Sequence, residues 1–559
     1  MTDKADPSDP AGVREGALSG ALRNVARTRA LFASGEPPAL VGTVCGSSEA
    51  RDFWQCAMEE AKPRLRAKTV VSFHEDLPVN QAFGVLLLWQ RMKALFEPGL
   101  GALVAFVFGE GSRATPFTEA DLGQKPAMSS YVRDGSSSGP RYLPMVELAL
   151  QYFAPVEAYL RRSGFDGIVV KWGDEVQIPT KDLDGSDPRF AQADVVRFVS
   201  MQRLTDESAQ AKDWVGVSAA GEVTAFIPRR PLAEMERLAD RGLLQRRDGA
   251  LFGGVNLGSI ALSRALLDVL LAEFTRDVND STADRRSRPD LDPQLFTALT
   301  IAAISHPASR AEAWDVVTSE SSAMRKLATS MPDVLERLRR ALDAFEAMHG
   351  RPISMMALDF EDQFWGDVGQ HRQIFEFYMA LGASNEVGQV ARAMAGIDRE
   401  RDERGNLVVG DCVISPRIQL ENSVLIDVEL TGEGKIRDSV LIGTRAHDLI
   451  SDHGFDVLST IPSLRLHPRG GTYKVVRSEP LEVAAGERWT TVFLPEGEVE
   501  LRIDEETDLR DRAANYERPI LKNAVAFQEA HAIMTRASLA DVEARRNEKR
   551  AEILQRMRG

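Results

Sequence analysis

The stretch VFGEGSRATPFTEADLGQKPAM, residues 107–128, decides how the rest of this chain is interpreted. It continues the apolar run ALVAFVF at 102–108, whose β-branched and aromatic composition is typical of a buried strand. Glycines that directly follow a strand let backbone N–H groups approach a bound anion without a Cβ in the way. The stretch therefore predicts a strand followed by a cradle for phosphate oxygens.

Side chains of the same stretch add charge to the predicted cradle. Arginine presents parallel N–H donors to phosphate, and lysine adds a mobile point charge. The alternative is a tight glycine turn with an incidental surface arginine and lysine. The pattern G-x-G-S-R-x-x-P-x-T followed by Lys-Pro favours anion binding. The residues predicted to bind the anion are Gly109, Gly111, Ser112, Arg113 and Lys125.

Composition limits the partners of this 559-residue chain. Its formal net charge of −15 argues against nucleic-acid or membrane-surface binding, because both need a basic face. Cys45, Cys56 and Cys412 match neither a metal-ligand spacing nor a disulfide framework. The N-terminal residues lack an apolar signal region, and no apolar run approaches the ~20 residues that span a bilayer. We therefore expect a cytoplasmic protein without nucleic-acid or membrane partners.

Strand and helix patterns alternate through the first two thirds of the chain. The runs DGIVVKW, ADVVRFVSM and EVTAFIP are strand-like, and helical spacing separates the first from the opening strand. This alternation predicts an α/β fold with a mostly parallel sheet. We interpret residues 1–100 as an N-terminal α/β extension packed onto a main domain at 101–400. A helical insertion is predicted at about 290–350, ending at Gly350.

A second pattern begins after residue 400. Aliphatic residues recur six apart at Val424, Leu430, Ile436 and Ile442, and NSVLI at 422–426 returns as DSVLI at 438–442. A six-residue aliphatic period is typical of a left-handed hexapeptide β-helix, predicted here for 401–446; a three-stranded meander is the alternative. Residues 447–559 are predicted to be β-rich, with antiparallel strands at 470–505, and to end in a charged helix.

Further motifs follow the opening stretch in a fixed order: IVVKWGDEVQIP at 168–179, KDWVGVSAAGEVTAFIPRRP at 212–231, GGVNLGSIALSRALL at 253–267 and FWGDVGQHRQIFEFYMAL at 364–381. In this order they resemble the sugar-1-phosphate nucleotidyltransferases, the nucleotide-sugar pyrophosphorylases. The hexapeptide pattern behind them is similar to that of the ADP-glucose pyrophosphorylase-like branch.

The resemblance implies a Rossmann-like nucleotidyltransferase domain that forms an NDP-sugar and pyrophosphate from a nucleoside triphosphate and a sugar 1-phosphate. It also implies Mg²⁺, which prefers one or two carboxylates together with phosphate oxygens. A homo-oligomer is compatible with it. The implied catalytic residues are Arg113, Lys125, Asp174 and Asp367, of which Asp174 and Asp367 are the metal ligands. The implied sugar-phosphate-binding residues are Gly216, Arg230, Asn256 and Gly258.

Two departures from the family pattern leave alternatives open. Glu110 stands where the family usually has a glycine, and Arg229-Arg230-Pro231 stands where it usually has Glu-Lys-Pro. One alternative is a catalytically degenerate relative, acting as a regulatory or scaffold subunit that binds a nucleotide sugar. Another is a bifunctional enzyme whose β-helix transfers acyl groups.

Overall fold

The computed structural model describes residues 18–74, 81–97, 99–107, 112–133, 141–211, 214–227, 229–279, 294–304, 307–509 and 511–558. Within these ranges no helix is both long enough and apolar enough to cross a membrane. In chain order, the strands of the first part are β1 (Leu40–Cys45), β2 (Thr69–His74), β3 (Ala102–Phe106), β4 (Ser129–Val132), β5 (Arg141–Pro144), β6 (Gly167–Trp172), β7 (Glu175–Pro179), β8 (Val195–Arg203), β9 (Trp214–Val217), β10 (Val223–Ile227), β11 (Gln245–Arg247), β12 (Ala250–Ser263), β13 (Met355–Asp359) and β14 (Gln363–Asp367).

The main sheet is mixed, whereas the sequence predicted a mostly parallel one, and its parallel part is a group of neighbouring strands. Strands β2, β1, β3 and β6 lie side by side in parallel. The long strand β12 is antiparallel to β6 and to β8, and β13 is parallel to β8. Every residue of β3 is buried, which suits an apolar strand covered on both faces. The strand predicted from the opening stretch therefore lies inside the sheet.

Helices cover both faces of this sheet. Trp54 and Phe153 belong to the core on one face, and Trp89 and Phe274 to the core on the other. The helices of this part are α1 (Ser19–Ser34), α2 (Ser48–Leu65), α3 (Gln81–Met92), α4 (Phe117–Ala120), α5 (Met145–Arg162), α6 (Asp206–Ala211), α7 (Leu232–Asp240), α8 (Arg264–Asn279), α9 (Gln294–Ala302), α10 (Pro307–Glu320), α11 (Ser322–Ser330), α12 (Val334–His349), α13 (His371–Ala380) and α14 (Glu386–Met394). The predicted helical segment is thus present, and it ends at Gly350, whose φ is +67°.

The N-terminal residues differ from the sequence interpretation. We expected residues 1–100 to pack onto the main domain as an extension. Instead β1 pairs with β3 along its length, from Leu40 opposite Ala102 to Val44 opposite Phe106. The first hundred residues therefore supply two strands of the main sheet. Sequence patterns show that strands exist, but they do not show which strands become neighbours.

The C-terminal part is rich in short strands. In chain order they are β15 (Leu407–Val409), β16 (Val413–Ile414), β17 (Ile418–Glu421), β18 (Val424–Ile426), β19 (Glu429–Leu430), β20 (Gly434–Arg437), β21 (Val440–Ile442), β22 (Arg445–Ala446), β23 (Asp448–Asp452), β24 (Phe455–Val457), β25 (Ser463–Leu466), β26 (Gly471–Tyr473), β27 (Leu481–Val483), β28 (Arg488–Leu494) and β29 (Gly497–Ile503). The strands β15–β24 belong to three sheets that the chain visits in rotation, and β25–β29 continue two of these sheets.

The two copies of the sequence repeat lie next to each other in the structure. Strand β18 of NSVLI pairs in parallel with β21 of DSVLI, and Val424 lies opposite Val440. At the start of these repeats Asn422 and Asp438 have φ values of +45° and +48°, a left-handed conformation that these two residue types tolerate best. This parallel pairing is not that of a meander.

The pairing of the strands at 470–505 differs from the sequence interpretation, which predicts antiparallel strands there. Strand β26 pairs with β28 in parallel, with Gly471 opposite Arg488, and β25 pairs with β27 in parallel. Only β28 and β29, joined by a tight turn, are antiparallel in this segment of the described chain. The six-residue period weakens here because turns of unequal length separate the strands, so the sequence conceals the continued parallel pairing.

Three helices end the described chain: α15 (Arg512–Asn515), α16 (Phe527–Met534) and α17 (Leu539–Arg558). They share a core with β28, to which Phe493, Phe527 and Ile553 belong. The same core includes Leu122 from the stretch at 107–128. The charged final helix is therefore a packing helix, and it lies against the first part of the chain.

Candidate functional site

Two antiparallel strands bring the predicted carboxylates together. Asp174 lies in the turn before β7, and Asp367 is the last residue of β14, directly opposite Glu175. The backbone N–H of Val368 donates to the carbonyl oxygen of Asp174 at 3.2 Å. Asp174 and Asp367 are thus neighbours across a two-stranded pair, although they are far apart in the chain.

Lys125, from the opening stretch, pairs with one of the carboxylates and lies near the other. Its Nζ forms an ion pair with Asp174 Oδ2. A Cβ placed on Gly369 would lie 2.9 Å from Asp367 Oδ1 and 3.2 Å from Lys125 Nζ. Both groups therefore approach the backbone at Gly369, where a side chain would crowd them. The structure therefore places Lys125, Asp174 and Asp367 in one site.

The pKa of Lys125 depends on its burial and on several neighbouring charges. Burial lowers the pKa of Lys125, the negative charge of Asp367 raises it, and the positive charge of Arg113 lowers it. Arg113 lies on the short 3₁₀ turn Ser112–Ala114 and is exposed. Two cations and two carboxylates therefore lie close together, and the cations are near enough to repel each other.

The turn at Gly173 fixes the carboxylates against the end of β3. The N–H of Gly173 donates to the carbonyl oxygen of Phe106 at 2.9 Å, and a Cβ on Gly173 would lie only 2.7 Å from that oxygen. Asp174 is therefore held at the carboxyl end of the parallel strands, where open α/β sheets bind ligands. The predicted cradle residues Gly109 and Gly111, with Glu110, lie outside the described residues, as does the side chain of Ser112.

Neighbouring polar groups orient the carboxylates of Asp367 and Glu175. Asp367 Oδ1 accepts from the N–H of Gly369 at 2.6 Å, and its Oδ2 accepts from Gln373 Nε2 at 2.7 Å. Glu175 accepts from Lys171 Nζ at 2.6 Å and from Trp365 Nε1 at 2.8 Å. These bonds fix the end of β14 at Asp367 and the start of β7 at Glu175, the residue after Asp174.

Sequence analysis did not single out Glu175, Lys171 or Gln373. One signal was available, because Lys171 stands among apolar residues in the strand GIVVKW, and buried lysines are rare unless paired. The lysine is fully buried in the structure. Its partner and the role of Gln373 depend on strand pairing and on the start of α13, which sequence patterns do not give.

Asn256 and Gly258 lie in an irregular part of β12. Asn256 Oδ1 accepts from Arg197 at 2.9 Å, at an irregularity where β12 shifts register against β8. Gly258 has a φ of +79°, and a Cβ on it would lie 2.8 Å from Trp172 Nε1. Since Trp172 directly precedes Gly173, this irregular part of β12 faces the same strand ends as Asp174.

Gly216 and Arg230 belong to other parts of the described structure than the pair of Lys125 and Asp174. Gly216 is in β9, where a Cβ would lie 2.2 Å from the carbonyl oxygen of Leu243, so backbone packing requires a glycine. Arg230 pairs with Glu234 at 2.8 Å and lines a cavity of about 520 Å³ between β10 and the helices α9 and α10. The lining of that cavity does not include Lys125 or the two aspartates.

The side chain of His371, which follows the second aspartate motif, makes packing contacts. It is half-buried, and its ring packs edge-on against Phe117 at 5.5 Å. Burial, and then the positive charge of Arg488, lower its pKa to about 3. The ring is therefore neutral near pH 7 and belongs to the contact between the first part of the chain and the C-terminal strands.

Comparisons with known proteins add little to this description. No protein-family model matches the chain, and no curated protein matches it. One matching solved structure is of a provisional glucose-1-phosphate thymidylyltransferase from Bacillus anthracis in complex with a sucrose. It is 10% identical, the match covers 66% of this chain and 99% of that chain, and the TM-score is 0.18. So low a TM-score carries no argument about this chain, and function has to be inferred from its own residues.

Proposed function

We propose that the protein is a sugar-1-phosphate nucleotidyltransferase, which forms an NDP-sugar and pyrophosphate from a nucleoside triphosphate and a sugar 1-phosphate. One observation supports the proposal. Lys125 pairs with Asp174, and both Lys125 and Asp367 approach Gly369, so residues from three separate motifs lie near the carboxyl end of the parallel strands. A chance resemblance of sequence would not require three distant motifs to meet at one point.

The residues of this site suit transfer of a nucleotidyl group. An oxygen of the sugar phosphate attacks the α-phosphorus, a new P–O bond forms, and the bond to the β-phosphate breaks as pyrophosphate leaves. Such transfer depends mainly on positioning and on stabilising negative charge. Lys125 and Arg113 would bind the departing pyrophosphate, and Asn256 with Gly258 would face the sugar phosphate.

The two aspartates fit a Mg²⁺ ion. Hard carboxylate oxygens from two neighbouring strand ends are the donors that Mg²⁺ prefers together with phosphate oxygens. The ion would neutralise the triphosphate and orient it for attack. Lys125 neutralises Asp174 in the described arrangement, so binding of the ion would release this lysine to a phosphate group.

Residues 401–446, whose strands visit three sheets in rotation, are proposed to form a short left-handed β-helix built from hexapeptide repeats. A cytoplasmic location and a homo-oligomer are proposed with it.

The regulatory or scaffold alternative has one observation in its favour. Arg230, the predicted sugar-phosphate ligand, is paired with Glu234 in a separate cavity. A relative that binds a nucleotide sugar without turning it over would tolerate this change. The acyl-transfer alternative has no such observation.

A screen for pyrophosphate release tests the proposed function. The full chain is mixed with each common nucleoside triphosphate and a panel of sugar 1-phosphates, with Mg²⁺ or with excess chelator. We expect release with at least one pair, and its loss with chelator. Tight binding of a nucleotide sugar without release from any pair would support the scaffold alternative and overturn the enzyme.

Lys125→Ala and Arg113→Ala test the predicted phosphate contacts. Each removes a charge-assisted contact worth about 1.5–3 kcal/mol, so we expect nucleotide affinity to fall roughly 10- to 100-fold. Calorimetric titration with the nucleotide selected by the screen measures this change. Arg372→Ala, on the exposed face of α13, is the matched control and should bind normally. Unchanged affinity in both site variants would leave the glycine turn as a purely structural feature.

A further inference from the structure

A buried arginine lies beside the irregular part of β12. Arg197 belongs to β8 and lies opposite Ile260 of β12 and Ala357 of β13. Only 3% of its surface is exposed. Arginine is almost never buried to this degree unless it is paired with an acidic group. Its neighbours in the strand VVRFV at 195–199 are apolar, so formation of the strand does not require the arginine.

Within the described ranges, the contacts of Arg197 supply no counter-ion for its charge. Its Nη2 donates to Asn256 Oδ1 at 2.9 Å. Its Nη1 is buried and has no hydrogen-bond partner among the described residues. Burial lowers the pKa of Arg197 to about 10, a value at which the guanidinium still carries its charge near pH 7. Because an uncompensated buried charge lowers stability, the arginine indicates a role in binding rather than in folding.

The hydrogen bond from Arg197 determines which end of the Asn256 amide is available to a ligand. Arginine has only donors, so the amide oxygen of Asn256 has to face it. The same oxygen also accepts from the N–H of Gly258, at the longer distance of 3.4 Å. The amino group, Nδ2, is therefore the end of the amide that is turned away from Arg197. Asn256 is half-buried, and fixed N–H donors at this position suit the oxygens of an anion.

The segment around Asn256 contacts the strand that follows the first of the two aspartates. The register of β12 against β8 shifts between Asn256 and Ile260. Within this irregularity, the carbonyl oxygen of Leu257 accepts from Gln177 Nε2 at 3.3 Å. Gln177 belongs to β7, which begins directly after Asp174. Such irregularities often re-aim side chains beside active sites, and Gln177 joins this one to the candidate functional site.

We propose that Arg197 is a positioning residue for the phosphate group of the sugar 1-phosphate. It holds the Asn256 amide so that Nδ2 donates to a phosphate oxygen, and it supplies positive charge behind that amide. This inference rests on the proposed function. Arg230, the cation that the family resemblance implies for the sugar phosphate, pairs with Glu234 and lines the separate cavity of about 520 Å³. Arg197 therefore supplies the charge that Arg230 does not bring to this part of the site.

Burial makes the charge of Arg197 effective although the ligand does not touch it. Water and salt screen a charge inside a protein much less than a charge on its surface. A phosphate that accepts from Asn256 is therefore attracted by the guanidinium behind the amide. The two substrates then depend on different cations: the nucleoside triphosphate on Arg113 and Lys125, and the sugar phosphate on Arg197.

Calorimetric titration of the full chain with the panel of sugar 1-phosphates tests this inference, in the presence of Mg²⁺ and nonhydrolysable analogues of the common nucleoside triphosphates. We expect at least one sugar 1-phosphate to bind, and Arg197→Met to weaken the tightest one about tenfold or more. Arg197→Lys keeps the charge and should lose less. Arg203→Met, at the exposed end of the same strand, is the matched control and should bind normally. Unchanged affinity in Arg197→Met, or no binding of any sugar 1-phosphate to the natural chain, would overturn the inference.

Stability distinguishes this role from a structural one. Arg197→Met replaces an uncompensated buried charge by an apolar side chain, so the free energy of unfolding should stay the same or rise while sugar 1-phosphate affinity falls. Chemical denaturation of the natural chain and the variant measures this. A less stable variant that binds nucleotide and sugar 1-phosphate equally poorly would mean that Arg197 only supports the fold.

Asn256→Asp is a second variant that keeps the arginine. The new carboxylate is nearly isosteric with the amide, should pair with Arg197 and should repel phosphate. We therefore expect stability to rise and sugar 1-phosphate affinity to fall about tenfold or more. Unchanged affinity in this variant would overturn the inference even if Arg197→Met does not fold.

Turnover separates the inference from the proposed function. With a pair that releases pyrophosphate, Arg197→Met should raise KM for the sugar 1-phosphate and leave KM for the nucleotide nearly unchanged. Release with an unchanged KM for the sugar 1-phosphate would overturn the inference and leave the enzyme. Binding that depends on Arg197 but leads to no release would overturn the enzyme and retain the inference for the scaffold alternative.

Discussion

Asp174→Asn is expected to reduce turnover roughly 10³-fold, about 4 kcal/mol in activation free energy, with little change in nucleotide affinity. The two side chains are nearly isosteric, so the turn before β7 should keep its shape. The change removes one of two carboxylate charges proposed to hold Mg²⁺, which matters most as charge moves onto the leaving pyrophosphate. Turnover and the nucleotide dissociation constant, measured separately on the pair selected by the screen, check this.

The matched control for this variant is Asp362→Asn. Asp362 is exposed and lies just before the other end of β14, so its change should leave both quantities as they are. Equal, small effects of both variants would mean that Asp174 serves only to pair with Lys125. A large loss of affinity with unchanged turnover would assign Asp174 to binding rather than to the chemical step.

The parts of the site that could be predicted are those carried by local motifs. Gly173 and Asp174 follow a strand whose apolar run is evident, and Lys125 stands in a stretch with an unusual spacing of glycine and charge. The repeat that begins at Asn422 and Asp438 was likewise evident in the sequence, and both residues adopt the same left-handed conformation. In each case a short sequence determines a local conformation.

The remaining features depend on which distant elements become neighbours. Nothing local to Leu40 shows that β1 will lie beside β3. Nothing in the charged sequence of α17 shows that Arg546 will be buried against Ala120. Surface helices of similar composition remain solvated, and only the shared core with β28 distinguishes this one. Long-range packing, rather than propensity, places these residues.

Breaking the buried pair of Lys171 and Glu175 should lower the stability of the folded chain more than breaking an exposed ion pair near the site. Lys171 is fully buried and Glu175 is 8% exposed, and their charged atoms lie 2.6 Å apart. Glu175→Ala leaves an unpaired charge in the interior, so we expect the free energy of unfolding to fall by about 3–5 kcal/mol. Glu376→Ala removes an exposed ion pair with Arg372 and should cost less than ~1 kcal/mol.

The pH dependence of Glu175→Ala identifies the cause of this loss. Burial already lowers the pKa of Lys171, and without Glu175 that pKa falls further, because the nearby negative charge raises it. Between this lowered value and the value of about 10.4 in the unfolded chain, the unfolded state binds more protons, so stability rises with pH. Chemical denaturation at pH 7 and pH 9 should therefore show the variant recovering stability relative to the natural chain. The double variant Lys171→Met with Glu175→Ala has no buried charge and should show no such recovery; the same deficit at both pH values in Glu175→Ala would mean that lost packing, not the lysine charge, destabilises it.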